Sequence, residues 1–256
     1  MASRPPDLSI VIPAYNEAKR LPQTLGRVRD WVERKRTGTE LECEVLVVDD
    51  GSQDDTAEVV REWQSRIAGL RLVPNGTNHG KGYSVRHGML EARGVIALFS
   101  DADLSAPIDE ADKLLAALGE ADIALGSRAV DRSLIEIHQS QARELAGRAF
   151  NLVVRWMTGA PFLDTQCGFK AFRMSRARVI FEQQRIEDFG FDPELLFLAR
   201  RHGLKAVEIG VRWAHDPGTK VHMLRDSLRM FWDLVLVRWN ALAGRYPLRV
   251  EGRADT

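Results

Sequence analysis

Short aliphatic and β-branched runs alternate with amphipathic segments along the first half of the chain. The apolar runs read LSIVIP, EVLVV, LRLVP, VIALFS and DIALGS, and the first segment between them places Leu21, Leu25 and Val28 at helical spacing. A sheet of parallel strands with helical crossovers is the fold class that such alternation predicts. We therefore expect an α/β fold with a mostly parallel central sheet flanked by helices.

The pattern becomes less regular beyond Arg128, yet no linker rich in proline, glycine or serine separates the two parts. This second part is predicted to contain an amphipathic segment from Ser140 to Met157, the loop LDTQCGFK, a helix from Asp192 to His202 and the strand VEIGV. We therefore expect a single domain over residues 1–256, with halves at 8–127 and 128–240.

Composition limits the classes of function. Lysine and arginine number 36, as do aspartate and glutamate, so the net charge of zero does not indicate a nucleic-acid partner. Cys43 and Cys167 form no CxxC pair and the six histidines lack paired spacing, which argues against a zinc site. The start MASRPPDLS lacks the apolar core of a secretion signal, and no apolar run approaches the roughly 18–20 residues of a membrane span. A cytoplasmic location is expected.

The stretch ALFSDAD joins an apolar strand to two carboxylates, Asp101 and Asp103. Parallel α/β sheets bind ligands at the carboxyl ends of their strands, and hard divalent cations held there by carboxylates usually bridge to phosphate oxygens. A surface turn or a helix cap would also explain an Asp-x-Asp pair on its own. The neighbouring strand ends decide between these interpretations.

Three further strand ends carry chemistry suited to a nucleotide diphosphate. PAYNE offers the ring of Tyr15 for a base and the carboxylate of Glu17, while DDGSQDDT offers Asp49 or Asp50 as acceptors for hydroxyl and N–H groups. NHGKG places Lys81 between glycines, where it can approach a phosphate. Turn chemistry explains each loop alone, but it has no reason to place partners for base, ribose and phosphate in order. A nucleotide diphosphate site is therefore predicted.

Taken together, PAYNE, VVDDGSQDDT, NHGKGYSVRHGM, DADLS and GSR resemble the inverting glycosyltransferases of family 2, which have the GT-A fold. The later elements DTQCGFKAF, FGFDPELL and VRWAHDPGTKV are most similar to the branch that acts on polyprenyl phosphates, which includes the dolichyl-phosphate β-glucosyltransferases. This resemblance extends over residues 8–240. The first half would then bind the nucleotide sugar and the second half the acceptor.

The resemblance implies a donor site and a divalent ion. The implied nucleotide-sugar residues are Pro13, Ala14, Tyr15, Glu17, Asp49, Asp50, Lys81, Asp101 and Asp103. Asp101 and Asp103 would hold Mg²⁺ or Mn²⁺, and Asp103 would thereby be catalytic. In the mannose synthases of this group a glutamine two positions after the second aspartate helps to bind the ion, whereas this chain has Ser105. A water molecule is expected in its place, because Mg²⁺ usually keeps several.

The resemblance further implies inverting transfer of a hexose to the phosphate of a dolichyl or undecaprenyl lipid, with UDP-glucose as the expected donor. A lipid phosphate has a second pKa near about 6, so its oxygen is already anionic at neutral pH and a general base is not obligatory. Asp192 and Glu194 in FGFDPELL could each act as base, as positioner of sugar hydroxyls or as helix start, and positioning is favoured. Lys220 would lie on a loop that closes over the nucleotide. The acceptor phosphate would be held by Arg128, Arg143, Gln166 and Lys170.

Two basic amphipathic segments, RELAGRAFNLVVRWM and MLRDSLRMFWDLVLVRWN, suit peripheral contact with a membrane surface. The alternative is an ordinary pair of core-facing helices with solvated arginines. Because a polyprenyl chain leaves the bilayer only at a cost of about 0.8 kcal/mol per methylene, the implied acceptor favours peripheral attachment at the cytoplasmic face.

Other functions remain open from the sequence. A different donor sugar, or a carbohydrate or other acceptor without a lipid, fits the same motifs. A nucleotidyltransferase would normally carry a basic glycine-rich loop after the first strand, where this chain has PAYNE. A nucleotide-sugar sensor that lost turnover is the non-enzymatic alternative.

Overall fold

The computed structural model describes residues 4–137, 141–214 and 223–248. The strands are β1 (Leu8–Ala14), β2 (Cys43–Asp49), β3 (Leu70–Pro74), β4 (Ile96–Ser100), β5 (Ile123–Ser127), β6 (Ile135–Ile137), β7 (Phe169–Arg173), β8 (Ala206–Gly210) and β9 (Trp213–Ala214). The α-helices are α1 (Leu21–Thr39), α2 (Thr56–Trp63), α3 (Lys81–Glu91), α4 (Ala111–Ala117), α5 (Gln141–Thr158), α6 (Met174–Gln183), α7 (Phe191–Arg201) and α8 (Met223–Leu242). Short 3₁₀ turns lie at Ile108–Glu110 and Arg132–Leu134.

The central sheet has the strand order β3-β2-β1-β4-β7-β5-β8. β1 pairs in parallel with β2 and β4, β2 with β3, and β5 with β8, which agrees with the predicted parallel sheet. β6 and β9 form a separate parallel pair. The helical crossovers between the first four strands explain this arrangement, since parallel neighbours need such connections.

The expectation that LDTQCGFK is a loop was wrong at its end. Phe169–Arg173 forms β7, which lies antiparallel between β4 and β5. The strand could not be recognised from the sequence because Lys170 is its second residue and Arg173 its last, so the run FKAFR does not read as apolar. Helix α6, which follows β7 directly, was not predicted either.

Helices cover both faces of the sheet. Alternate strand residues point to opposite faces, so Val11 and Phe99 belong to a core with Val85 of α3. Ile10 and Leu98 belong to a second core, on the side of α1. The structure is thus a three-layer α/β/α domain with the sheet buried on both faces, which accounts for the nearly continuous apolar strands.

Gly88 allows α3 to lie close to β1 and β2. A Cβ atom at this position would overlap Val11 Cγ1 and approach Val48 Cγ2 to 2.7 Å, and both valines are fully buried. We expect Gly88→Ala to lower the free energy of unfolding by about 1–3 kcal/mol, because extra volume in a packed core forces side chains off their rotamers. Urea denaturation measures this. Gly38→Ala in α1, which has open space around it, is the matched control and is expected to be neutral or stabilising.

Candidate active site

The carboxyl ends of β1, β2, β3 and β4 lie at one edge of the sheet, because these strands are parallel. The loops that carry Tyr15, Asp50 and Asp101, and the loop that leads into α3 at Lys81, therefore leave the sheet on the same side. Antiparallel β7 adds its amino end to this edge, since Phe169 pairs with Ser100. The loop before β7 thus joins the four loops of the first half.

Asp101 is held against the start of β7. Its backbone N–H donates to Gly168 O at 3.1 Å. A Cβ atom at residue 168 would overlap Asp101 Oδ2 and lie 2.6 Å from Oδ1, so only glycine leaves room for this carboxylate. Gly168 was not predicted as a site residue, although its place in DTQCGF next to a strand was a usable signal.

The two residues that follow Asp103 set the orientation of its carboxylate. Leu104 has φ +47°, a left-handed conformation that is uncommon for a bulky residue and typical of functional turns. Ser105 N–H donates to Asp103 Oδ1 at 2.9 Å. Burial raises the pKa of Asp103, and the charge of Asp101 adds to this rise, while the Ser105 N–H opposes it. Ser105 thus orients the carboxylate through its backbone.

Lys81 is the first residue of α3, and its Nζ lies 2.6 Å from Asp101 Oδ1. Burial alone would lower the pKa of Lys81, but the carboxylates of Asp101, Asp192 and Asp103 outweigh burial and leave the pKa raised. Lys81 therefore carries a full positive charge at neutral pH.

The carboxylate of Asp50 is hydrogen-bonded to the loop that precedes Lys81. Its Oδ1 accepts from Asn75 Nδ2 at 2.7 Å and from His79 N–H at 3.0 Å, and its Oδ2 accepts from Gly80 N–H at 2.8 Å. Asp49 Oδ1 accepts one bond, from Ser52 N–H at 3.1 Å. The two adjacent carboxylates, equivalent in the sequence, thus differ in their surroundings.

The loop after β1 is tied to the loop after β2. Asn16 N–H donates to Ser52 Oγ at 2.9 Å, and Asn16 Oδ1 accepts from Gln53 N–H at 2.8 Å. Glu17 forms an ion pair with Arg20 at 2.5 Å. Pro13 and Ala14 are the last residues of β1, and Tyr15 is half-buried beside them. An open cavity of about 620 Å³ is lined by Asn16, Glu17, Lys19, Arg20, Gln53 and Asp54.

Lys170 and Asp192 form a buried ion pair at the inner end of the site. Lys170 Nζ lies 2.5 Å from Asp192 Oδ1 and donates to Cys167 O at 2.6 Å. The side chains are 1% and 6% exposed, respectively. Burial raises the pKa of Asp192, while Lys170 and Lys81 oppose the rise. Lys170 therefore lies on a strand and faces Asp192, and its expected place on a loop was wrong.

Glu194 has a different environment from Asp192. Its carboxylate accepts from Arg185 N–H at 2.9 Å, from Ile186 N–H at 2.8 Å and from Tyr246 OH at 2.6 Å. Its pKa is raised by burial, against the effect of these donors. Glu194 thus accepts from two backbone N–H groups before α7 and from the hydroxyl of Tyr246 in the segment after α8, and it links these segments as a structural residue.

Arg128 is paired with Asp164, a residue that sequence reasoning missed. Nε and Nη2 of Arg128 donate to the two carboxylate oxygens of Asp164 at 2.6 and 2.7 Å. Arg128 also lies 5.3 Å from the ring centre of Trp213. Burial would raise the pKa of Asp164, but Arg128 outweighs it and lowers the pKa to about 2. This bidentate pair holds the loop before β7 against the end of β5.

The remaining predicted acceptor and closing residues are less completely described. Gln166 Nε2 donates to Met230 Sδ of α8 at 3.0 Å. The backbone of Arg143 lies in α5, but its side chain is outside the described part of the structure. Lys220 falls outside the described residues altogether.

The fold and the site together define an α/β protein with a pair of aspartates at the carboxyl edge of its sheet, which is where such sheets commonly bind their ligands. The sequence pattern described as "Glycosyl transferase family 2" matches residues 9–173. The chain belongs to this family and is a glycosyltransferase.

Relatives extend over most of the chain. It is 36% identical to the dolichyl-phosphate beta-glucosyltransferase of Drosophila melanogaster, over 94% of this chain and 77% of that protein. It is 33% identical to the human protein of the same name, over 94% of this chain and 78% of the relative.

Solved structures confirm the predicted GT-A fold. Mannosyl-3-phosphoglycerate synthase from Rubrobacter xylanophilus superposes with a TM-score of 0.63 at 22% identity, covering 98% of this chain and 78% of that one. Glucosyl-3-phosphoglycerate synthase from Mycobacterium tuberculosis, solved with Mn²⁺, UDP and glucosyl-3-phosphoglycerate, gives a TM-score of 0.59 at 20% identity, covering 96% and 82%.

Proposed function

We propose that this glycosyltransferase transfers glucose from UDP-glucose to a polyprenyl phosphate, with inversion at the sugar and with the aid of Mg²⁺ or Mn²⁺. The observation that carries the proposal is the 31–36% identity to dolichyl-phosphate beta-glucosyltransferases that extends through both halves of the chain. The likeness thus includes the elements after Arg128 that are expected to meet the acceptor. The geometry of the site supports the chemistry.

The residues present fit a divalent cation. Asp101 and Asp103 offer hard carboxylate oxygens, and Asp101 Oδ1, which is buried, lies 2.6 Å from the cationic Nζ of Lys81, so this oxygen already faces a positive charge. Within the described part of the chain, no group of three histidine, cysteine or carboxylate side chains is placed to hold a metal. The ion would therefore complete its coordination with diphosphate oxygens and water, as Mg²⁺ sites at phosphates commonly do. When bound, it would neutralise charge on the departing nucleoside diphosphate.

Different side chains are assigned to the base, the ribose and the diphosphate of the donor. We assign the base and ribose to Tyr15 and Asp49, because Asp50 already accepts three hydrogen bonds from the loop before Lys81. Lys81, at the start of α3, serves the diphosphate together with the amino end of that helix. Pro13, Ala14 and Glu17 shape the wall beside the base.

Asp192 positions the sugar in this proposal. Its Oδ1 is fixed by Lys170 at 2.5 Å, so the carboxylate is pre-oriented, and its other oxygen can accept from a sugar hydroxyl. The acceptor phosphate oxygen needs no proton removed at neutral pH. Arg128 and Gln166 line the acceptor side, with Arg128 offering Nη1, the guanidinium nitrogen that does not contact Asp164. Lys170 acts through Asp192.

The acceptor is expected at a lipid surface, and two neighbouring helices present a face that suits one. Large apolar side chains are exposed on α5 and α8, and we call them the apolar face: Leu145, Leu152, Trp156, Phe231, Trp232, Leu236, Trp239 and Leu242. Trp156 is 85% exposed and Trp239 62%. The ordinary core-facing alternative would have buried these tryptophans. Among the described helices, none is both long and apolar enough to cross a bilayer.

Basic residues accompany the apolar face. Arg148 and Arg238 are exposed on the same two helices, and Arg229, which is exposed and paired with Asp188 at 2.8 Å, lies two residues before Phe231 on α8. Aromatic rings with flanking arginines are typical of helices that lie in the interface of an anionic membrane. We propose that the apolar face docks on the cytoplasmic surface of the membrane that holds the acceptor.

Replacing Trp156, Trp232 and Trp239 by serine is expected to reduce binding to vesicles with anionic lipid at least about tenfold, since each buried ring contributes apolar area at the interface. Co-sedimentation measures this. Turnover of a short-chain, water-soluble polyprenyl phosphate should be retained within about twofold. Equal sedimentation of variant and wild type would contradict the docking proposal.

The function itself is tested with radiolabelled UDP-glucose, Mn²⁺ and polyprenyl phosphate in vesicles. We expect UDP release and a glucose-labelled lipid that extracts into organic solvent, with inverted configuration at the sugar. Label appearing only on a soluble acceptor would contradict the polyprenyl acceptor, and release of pyrophosphate would indicate a nucleotidyltransferase. Tight donor binding without product would indicate a sensor.

A further inference from the structure

Asp101 is enclosed from two sides. The backbone of Gly168 packs against its carboxylate, leaving no room for even a Cβ atom, so the side chain cannot retreat in that direction. On the other side Lys81 Nζ sits 2.6 Å from Oδ1. A cation that approaches Asp101 Oδ1 must therefore meet the ammonium group of Lys81.

The ammonium group of Lys81 carries a positive charge that can compensate the aspartates in place of a divalent ion. Of the two lysines in the cluster, Lys170 is already paired with Asp192. Lys81 is thus the lysine that compensates the Asp101 and Asp103 pair, and both of these aspartates act on it electrostatically. While the ammonium group of Lys81 contacts Asp101, the two aspartates present less negative charge to an incoming ion, and Asp101 Oδ1 is blocked.

The ammonium group of Lys81 is able to move away from Asp101. It stands at the first position of α3, its side chain is 24% exposed, and a lysine ammonium on four methylenes can swing over several ångströms. The phosphates of a donor at the carboxyl edge would offer it an alternative anionic partner.

We propose that Lys81 is an internal counter-ion that occupies Asp101 in the donor-free protein, and that the divalent ion binds tightly only when a nucleoside diphosphate draws Lys81 away. The inference rests on the proposed function in that it takes Asp101 and Asp103 as the ion site. It goes further by assigning Lys81 a second role, control of when the ion binds. Because coupling between two ligands is reciprocal, the ion tightens the diphosphate by the same factor.

Titration of Mn²⁺ followed by electron paramagnetic resonance, with and without UDP, tests the proposal. For the wild type we expect weak Mn²⁺ binding alone and roughly 10- to 100-fold tighter binding with UDP, within the usual range of coupling. Lys81→Met should bind Mn²⁺ alone about 5- to 20-fold tighter than the wild type, and UDP should then add a smaller factor. Lys81→Gln provides the same test if the methionine variant does not fold.

Lys113→Met is the matched control, since Lys113 Nζ also lies 2.6 Å from a carboxylate, that of Glu110, but outside the site. It should leave Mn²⁺ affinity unchanged. Repeating the titrations at about 0.5 M salt separates contact from long-range charge, because screening weakens only the latter strongly. Persistence of the Lys81→Met effect supports displacement at Asp101.

Two results would overturn the inference: Lys81→Met binding Mn²⁺ no tighter than the wild type, or an effect that disappears at high salt. Neither depends on sugar transfer. Failure to glucosylate polyprenyl phosphate would count against the proposed function alone, since the titration uses only Mn²⁺ and UDP.

Discussion

Replacing Asp103 by asparagine is expected to lower kcat/KM for glucose transfer by about 10³-fold or more while leaving the melting temperature nearly unchanged. The loss follows because one of two carboxylate ligands for the ion disappears, and electrostatic stabilisation of a leaving group is usually among the largest catalytic contributions. Stability should be spared, because asparagine can still accept from Ser105 N–H. The raised pKa of Asp103 further means that folding disfavours its charged form, so a neutral side chain adds no cost.

Initial rates of glucose transfer measure kcat/KM, and calorimetric unfolding measures the melting temperature. Asp109→Asn serves as the control, because Asp109 is half-exposed and forms a surface ion pair with Arg34. Its effect on rate and stability should be small. A rate within tenfold of the wild type for Asp103→Asn would refute the assigned ion site, and a melting temperature lowered by many degrees would point to a structural role instead.

Lys170→Met is expected to destabilise the fold by about 3–5 kcal/mol, because it leaves the carboxylate of Asp192 buried and unpaired. Asp192 should respond by holding its proton over a wider pH range, since the cation that opposes the rise of its pKa is gone. The destabilisation should therefore be larger at pH 8 than at pH 5, where the carboxyl group can be neutral. Denaturant unfolding at both pH values measures it.

A double-mutant cycle sharpens this test. Adding Asp192→Asn to Lys170→Met should recover part of the lost stability, because the unpaired charge is removed. Lys113→Met, which breaks a pair whose lysine is 44% exposed, should cost less than about 1 kcal/mol. A loss for Lys170→Met no larger than that of the control would show that the buried pair is not held as described.

Much of the framework could be predicted from the sequence. The strands and helices of the first half follow from periodicity, and convergence of their loops follows from the geometry of parallel sheets. β7 could not be found this way, because its second residue is a lysine whose charge is satisfied by Asp192, 22 residues further along the chain. Local pattern does not report such a distant partner.

The different roles of neighbouring carboxylates could not be predicted from the sequence either. Asp50 accepts hydrogen bonds from Asn75, His79 and Gly80, whereas Asp49 accepts one from Ser52. Glu194 differs from Asp192 because Tyr246, beyond α8, donates to it. These assignments depend on tertiary contacts, whereas the sequence shows only adjacent acids in suitable loops.

The insertion of β7 between β4 and β5 has a consequence for how the chain reaches its final form. β4 and β5 are separated by about two dozen residues along the chain but have no direct pairing, and only a strand made some forty residues later joins them. Until then β4 presents an open edge with unpaired backbone groups, a state prone to pairing with other chains. During synthesis this edge of β4 would therefore stay exposed until residues 169–173 are made and pair with it.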